Sequence, residues 1–465
     1  MSDHYHLVKN SAFRRLWTAQ FLSSLGDWLI VGILIPVVLQ MSDGSSMAVA
    51  GIMAAKLVPA LLFAALADAV AKRFNQRAIM LCSDLARMLL VLVLLLSNSL
   101  LAIYIALFLM ETASQFYWPA RNVMTADIVE KDSRVRANGF MYGSQRIAMV
   151  MGLVMAAAIV RGFEQAVMRV IELDITNIAQ MIFDWSPLIV QSGIGHAVNV
   201  LIFAFSAALL LFVRRSSAPS SERLPPLSIR RLARDAIAPF RFLRTKPQLR
   251  TLLIALSVAL VGGGAAIPVG LSYIASLKGS IPLADSLYVI YALSASRQIF
   301  MLALATIGVA IGAAIMPRLT TRLDAALLLP AFLAIFAAGM LGFAFNEQYF
   351  IAGIYAVAGG LCAAGVVLSG LNCIVRSVGE DMRARVFAAT ESVLRVSMLT
   401  SVVIMTPISD AISGYLRRGL GRVGIDEFLY LPLTGPRITM AISAIVVGLA
   451  AAFAFKAIYW NKRNE

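Results

Sequence analysis

Runs of about twenty mostly apolar residues recur twelve times along the 465-residue chain. Each is long enough to cross the roughly 30 Å hydrocarbon core of a bilayer as a helix. They lie near 17–40, 47–70, 79–97, 99–121, 138–160, 196–213, 251–275, 297–316, 325–345, 350–373, 386–410 and 436–457. Lipid offers no partner to a backbone N–H or C=O, so runs of this kind predict an all-α integral membrane fold. Composition agrees: 60% of residues are hydrophobic and 14% charged, against about 45–50% and about 25% in a soluble domain. A cytosolic enzyme, a secreted disulfide scaffold and a disordered protein are excluded.

The runs divide six and six around a polar segment, 214–250, which carries a Ser/Pro stretch and ten Lys/Arg. The expected organisation is a six-helix half over 1–213, a cytoplasmic linker over 214–250, and a second six-helix half over 251–465. Leu227–Phe242 has the pattern of an amphipathic surface helix. A net charge of +15 would suggest nucleic acid in a soluble protein. Here the charge follows topology: with the N-terminus inside, inner segments and the adjoining span ends hold 28 Lys/Arg, outer segments and span ends 8, and four (Lys56, Arg87, Arg146, Arg395) fall deeper within spans. This places both termini in the cytoplasm of a cell inner membrane, with no nucleic-acid partner. The polar start and long first run predict a retained helix rather than a cleaved signal. The longest outer segments are 161–195 and 411–435, and Phe163–Phe183 has the spacing of an interfacial helix. Cys82, Cys362 and Cys373 form no disulfide framework, and His4, His6 and His196 are too scattered for a metal site. No cofactor motif, Walker loop or hydrolase constellation is present, so no cofactor, metal or enzymatic activity is expected.

The halves echo one another. Val135-Arg136-Ala137-Asn138-Gly139-Phe140 precedes the fifth run, and Met382-Arg383-Ala384-Arg385-Val386-Phe387 precedes the eleventh. Paired halves are one transporter architecture, with the substrate site between repeats. Asn10–Leu29, Ser83-Asp84-Leu85-Ala86-Arg87, Phe116-Tyr117-Trp118-Pro119-Ala120-Arg121 and Arg383–Phe387 resemble elements of the drug- and siderophore-efflux branch of the major facilitator superfamily, which includes macrolide and enterobactin exporters. The resemblance implies twelve transmembrane helices in the major facilitator fold, and export. Two departures stand out. In the loop after the second span the superfamily's Gly and Asp positions fall on Asp68 and Lys72, while Arg73 and Arg77 keep basic positions. The Gly-Pro element of drug/proton antiporters is absent from Gly152–Ala158.

Ionisable groups within spans are costly and usually functional. Asp27, Glu111 and Arg146 lie roughly 12–17 Å from the inner ends of their spans, with Lys56 somewhat deeper. Their similar depth predicts a shared polar cluster, either a transport network or a set of ion pairs that fixes packing. Glu111, inside the apolar Ala102–Met110 stretch, is the first candidate for proton coupling, and Asp27 the second. Asp68, Lys72, Arg73, Arg77, Arg121, Arg136, Arg383 and Arg385 are candidates for a cytoplasmic gate. Asp68–Lys72 and Glu391–Arg395 have i,i+4 spacing for local pairs. Gly308 and Gly312 allow close helix approach, and Gly262–Gly264 with Pro268 would loosen the seventh span.

The function expected from these features is a monomeric secondary transporter exporting a small amphipathic molecule, coupled to protons and surrounded by membrane lipid. A lysophospholipid translocator or a non-transporting sensor or scaffold of the same fold are the alternatives. A membrane-embedded lipid enzyme would need a catalytic constellation that the sequence does not show.

Overall fold

Apolar runs too long for strands, with few interior breakers, become helices because only a helix pairs every backbone group within its own segment. The computed structural model describes residues 10–95, 97, 99–130, 133–172, 187–213, 247–274, 287–323, 325–376, 380–416 and 434–464. Thirteen helices are found among them: α1 Ser11–Met41, α2 Ser46–Ala71, α3 Gln76–Leu95, α4 Leu100–Ile128, α5 Arg134–Glu172, α6 Pro187–Leu211, α7 Pro247–Gly263, α8 Ala266–Ile274, α9 Leu287–Arg322, α10 Ala325–Phe345, α11 Tyr349–Arg376, α12 Glu380–Tyr415 and α13 Gly435–Asn464. With α7 and α8 as one broken span, twelve among the described residues are long and apolar enough to cross a membrane. All twelve expected spans are present. Helix α9 starts well before 297, taking in the apolar stretch from Leu287. The expected surface helix at Leu227–Phe242, the end of the Phe163–Phe183 segment, and most of 411–435 lie outside the described residues.

Contacts divide the chain into two units. The first is Met1–Val38 with Ala55–Leu232, and the second is Leu39–Ala54 with Ala233–Glu465. In the first unit α3 packs on both α4 and α6. One end of this unit is closed by Phe13, Leu16, Met80, Tyr117, Met124, Met141 and Leu210, all buried. In α1 the apolar window is 89% buried, against 33–50% in the other spans. Of the buried polar groups of α1, Gln20, Ser23 and Asp27 find protein partners in the site described below, whereas Ser24 Oγ and the Gln40 amide have none among the described residues.

In the second unit the broadest helix contact joins α9 and α11. A Cβ on Gly308 would collide with the Val357 carbonyl, one on Gly360 with the Ala305 carbonyl, and one on Gly312 would sit 2.7 Å from the Leu361 oxygen. The packing expected of Gly308 and Gly312 is thus met by a third glycine on the facing helix. Gly308→Leu should destabilise the protein by roughly 3 kcal/mol or more, because the obstacle is backbone and cannot turn aside. Gly339, with nothing within 4 Å of its Cβ position, is the control: Gly339→Ala should leave the detergent melting temperature nearly unchanged.

The seventh span breaks at Gly264. Pro268 has no N–H to offer the Gly264 carbonyl four residues back, and its ring crowds that carbonyl. The Ala265 N–H leaves the helical pattern and donates to Ser401 Oγ at 2.8 Å.

Helices α1 and α2 are shared: their parts away from the joining turn belong to the first unit, and the turn itself to the second. Within the second unit that turn is tied down at several points. Ser272 Oγ donates to the Gly44 carbonyl at 2.8 Å. The Asp410 carboxylate accepts from the Ser46 N–H (3.0 Å), the Met47 N–H (3.1 Å) and the Ser45 hydroxyl. A carboxylate from α12 thus caps the N-terminus of α2, where free N–H groups and the helix dipole favour negative charge. Nearby in the same unit, Arg437 on α13 is buried, donates to the Tyr273 hydroxyl at 2.8 Å, and lies 3.8 Å from Glu347.

Candidate functional site

Five ionisable side chains of alternating sign gather within the first unit. The innermost is Arg87 on α3, fully buried. Its Nη1 donates to both oxygens of Asp27 on α1, at 2.9 and 2.8 Å. Its Nη2 donates to Asp84 one turn earlier on α3, and its Nε to the Ser83 carbonyl at 3.3 Å. The guanidinium lies 5.0 Å from the Tyr117 ring centre and 4.9 Å from that of Phe203. Asp84, also fully buried, accepts from Ser23 Oγ (3.0 Å) and Ser206 Oγ (2.6 Å). Both carboxylates are therefore held as acceptors. Four helices supply this spot: α1 offers Ser23 and Asp27, α3 Asp84 and Arg87, α4 the Ser114 hydroxyl 3.3 Å from Arg87 Nη1, and α6 Ser206.

Lys56 and Glu111 form the outer layer of this cluster. Lys56 Nζ on α2 lies 2.7 Å from Glu111 Oε2 on α4, and the two side chains keep 21% and 15% exposure against 0% for Arg87 and Asp84. Gln115 Nε2, a turn along, donates to the other Glu111 oxygen at 2.7 Å. Lys56 also lies 5.5 Å from the Trp28 ring centre. Asp27 is within electrostatic reach of both Lys56 and Glu111, so it joins the sealed layer to the accessible one. The cluster holds three carboxylates and two bases, one acid more than the cations balance.

The predicted grouping of Asp27, Lys56 and Glu111 is present, but Arg146 is not part of it. Arg146 is exposed on α5, and among the described residues no carboxylate pairs with it. Arg87, with Asp84, takes the place foreseen for a second base. Sequence reasoning counted Arg87 as an in-span charge and left Asp84 as part of the entry to the third span. The available signal was an acid and a base at i,i+3 in one apolar helix, which cannot both face lipid.

Of the gate candidates, Lys72 and Asp68 pair at 2.6 Å with about half of each side chain exposed. Arg136 is exposed near the start of α5. The side chains of Arg383 and Arg385 lie outside the described residues. Arg121 is not at the loop surface: it is 1% exposed, and its Nη1 donates to Gln20 Oε1 at 3.1 Å. Its guanidinium lies 5.4 Å from the Trp118 ring centre and 5.0 Å from that of Tyr142. Among the described residues it meets no carboxylate, and its buried Nε has no partner. Ring contacts contribute about 0.5–2 kcal/mol each, whereas burying an ion costs several kcal/mol. The α4 dipole acts only over its last turn, and Arg121 lies seven residues before Ile128. The Arg121 charge is left short of compensation. In the second unit, Glu391 and Arg395 form the expected i,i+4 pair at 3.3 Å, both well exposed.

The sequence matches the family model described as Major Facilitator Superfamily over residues 16–295. Curated protein sequences give no match. Among solved structures, the chain is similar to a bacterial homolog of the human lysosomal transporter Spinster in an inward-facing, unoccupied conformation. The TM-score is 0.70, with 16% identity and 96% of each chain covered. It is also similar to the nucleoside transporter NupG, with a TM-score of 0.65, 13% identity, and 96% of this chain and 98% of that one covered. A third likeness is to a structure from work on proton-dependent oligopeptide transporters, with a TM-score of 0.65, 11% identity, and 97% and 99% covered.

Proposed function

The chain belongs to the major facilitator superfamily, and from that premise we propose that it exports a small amphipathic molecule by alternating access, coupled to the movement of protons. Family and fold make it a secondary transporter that crosses a membrane many times. The finer reading rests on one observation above the rest, the Lys56–Glu111 pair. It is the part of the cluster that keeps some surface exposure, and it belongs to a set with one surplus carboxylate. A proton on Glu111 removes that surplus and releases Lys56 toward Asp27. The charge pattern around Trp28 and Gln115 then changes with protonation, which gives a proton and a substrate a shared lever on the equilibrium between access states. Arg87 and Asp84 form the fixed side of the device, because each is fully buried and held by several hydrogen bonds.

In this reading the halves are 1–213 and 251–465, with 214–250 as their cytoplasmic linker. Asp68, Lys72, Arg73 and Arg77, with Arg136, Arg383 and Arg385, form the cytoplasmic gate. The excess of basic residues on inner segments supports a cell inner membrane location with both termini in the cytoplasm. The transporter acts as a monomer. The efflux-branch resemblance of Asn10–Leu29 supports export.

The test is proton flux in proteoliposomes, driven by a panel of amphipathic compounds that includes lysophospholipids. Substrate-dependent proton movement with a soluble compound is the expected result. Movement of lysolipid without soluble substrates would assign the protein to lipid translocation instead. Flux of substrate with no accompanying proton movement overturns the coupling.

A further inference from the structure

We propose that Arg121 and Arg146 form an anion subsite, so that the transported amphiphile carries a negatively charged head group. The inference rests on the transporter reading above and names the charge of its substrate.

Three observations carry it. Arg121 is a cation almost wholly removed from solvent, with no carboxylate facing it from α1, α4 or α5 among the described residues and with its Nε unpartnered. An ion so placed is a demand for an anion. Second, α5 presents Gly139, Tyr142, Gly143 and Arg146 at i, i+3, i+4 and i+7, which is one face of a helix. All four are exposed, and a Cβ on Gly139 or Gly143 would meet nothing within 4 Å. There is room beside Tyr142, and Tyr142 is the residue whose ring lies against Arg121. Third, Arg146 stands one turn beyond Tyr142 on this face, about 6 Å away by helical rise. It is exposed within a span, which places it toward a water-filled space rather than lipid.

The chemistry follows from the guanidinium. A planar donor fork matches a carboxylate, sulfate or phosphate. Gln20 already occupies one Nη of Arg121 and is itself fixed by donating to the Met141 carbonyl at 3.0 Å. The buried Nε, the donor without a partner, is what a ligand takes up once the exposed Tyr142 ring moves aside. Trp118 and Tyr142 flank the guanidinium with aromatic surface, which suits the first apolar atoms behind the head group. Arg146 provides an intermediate station for the same anion along the glycine-lined face.

Dodecyl phosphate, dodecanoate, dodecanol and dodecyltrimethylammonium share one tail and differ only in head group. Each is titrated, below its micellar concentration, into the purified full-length protein in a neutral detergent, and binding is followed by tryptophan fluorescence. Dodecyl phosphate and dodecanoate are expected to bind well and the other two at least tenfold more weakly. Arg121→Gln should weaken dodecyl phosphate by about 10- to 100-fold, the loss of a charge-assisted pair. Arg121→Lys should recover part of it, and Arg146→Gln should cost less. Should Arg121→Gln fail to yield folded protein, Arg146→Gln and Tyr142→Leu carry the test, because neither residue is buried. Equal binding of all four head groups, or unchanged phosphate affinity in folded variants, overturns the proposal. Competition by phosphatidylglycerol in nanodiscs assigns the subsite to a lipid head group, and its absence assigns it to a soluble amphiphile; both support an anion site. This binding is measured without a proton gradient, so loss of proton coupling in liposomes leaves it standing, and its failure leaves coupling standing.

Discussion

Arg87→Met is expected to destabilise the protein by about 3–5 kcal/mol, the cost of leaving buried charges without their partner. Two carboxylates, Asp27 and Asp84, would face each other across the space of the lost guanidinium, and only the hydroxyls of Ser23 and Ser206 would remain as donors to Asp84. The loss is read as a fall in melting temperature in detergent, followed by size-exclusion profile. The triple variant Arg87→Met, Asp27→Asn, Asp84→Asn removes all three charges and should recover most of the stability, because an uncharged cluster of similar volume has no desolvation penalty to offset. If Arg87→Met melts with the parent protein, the sealed triad is not a stabilising element. If the triple variant is no better than the single one, the loss comes from packing against Tyr117 and Phe203 rather than from charge.

Glu111→Gln is expected to reduce proton-driven accumulation at least tenfold, while substrate binding and energy-independent exchange persist. The substitution keeps the size of the side chain and its contact with Gln115, but it cannot titrate. It leaves two carboxylates and two bases in the cluster, the same balance as a permanently protonated Glu111. A transporter held in that charge state equilibrates its substrate without drawing on the gradient. Accumulation is measured in proteoliposomes with an imposed pH difference, and exchange with labelled substrate on both sides. Uphill transport with an unchanged pH dependence would reduce Glu111 to a packing partner of Lys56. Asp27→Asn should affect coupling less, and its main cost should fall on stability, because Asp27 holds Arg87 by two hydrogen bonds.

Much of the fold was legible because lipid reduces the choices: an apolar run of twenty residues has one stable form, and its ends are marked by charge. The structure extends α5 to Glu172 through a more polar stretch, and α9 back to Leu287 through apolar residues that the expected start at 297 left out. The site was legible at Asp27, Lys56 and Glu111 through the rarity of charge in such runs. Which charges meet was not legible, because helix rotation decides it. Lys56 faces Glu111, whereas Arg146, at a similar depth, points elsewhere. Asp84 and Asp410 were passed over for a shared reason. Each stood near the end of an apolar run, where a carboxylate looks like a boundary marker, yet one closes the Arg87 triad and the other caps α2.

The shared turn between α1 and α2 has a consequence for dissecting the molecule. A chain cut between Val213 and Pro247 yields two fragments, and the first carries Leu39–Ala54 while the second carries Asp410 and Ser272, which bind it. Neither fragment satisfies its polar groups alone. The second would expose a carboxylate with no helix to cap, and the first a helix start left with its own Ser45 hydroxyl as acceptor. Co-expression of the pair should then work as complementation, with the turn acting as the tab by which one piece of the gene product finds the other.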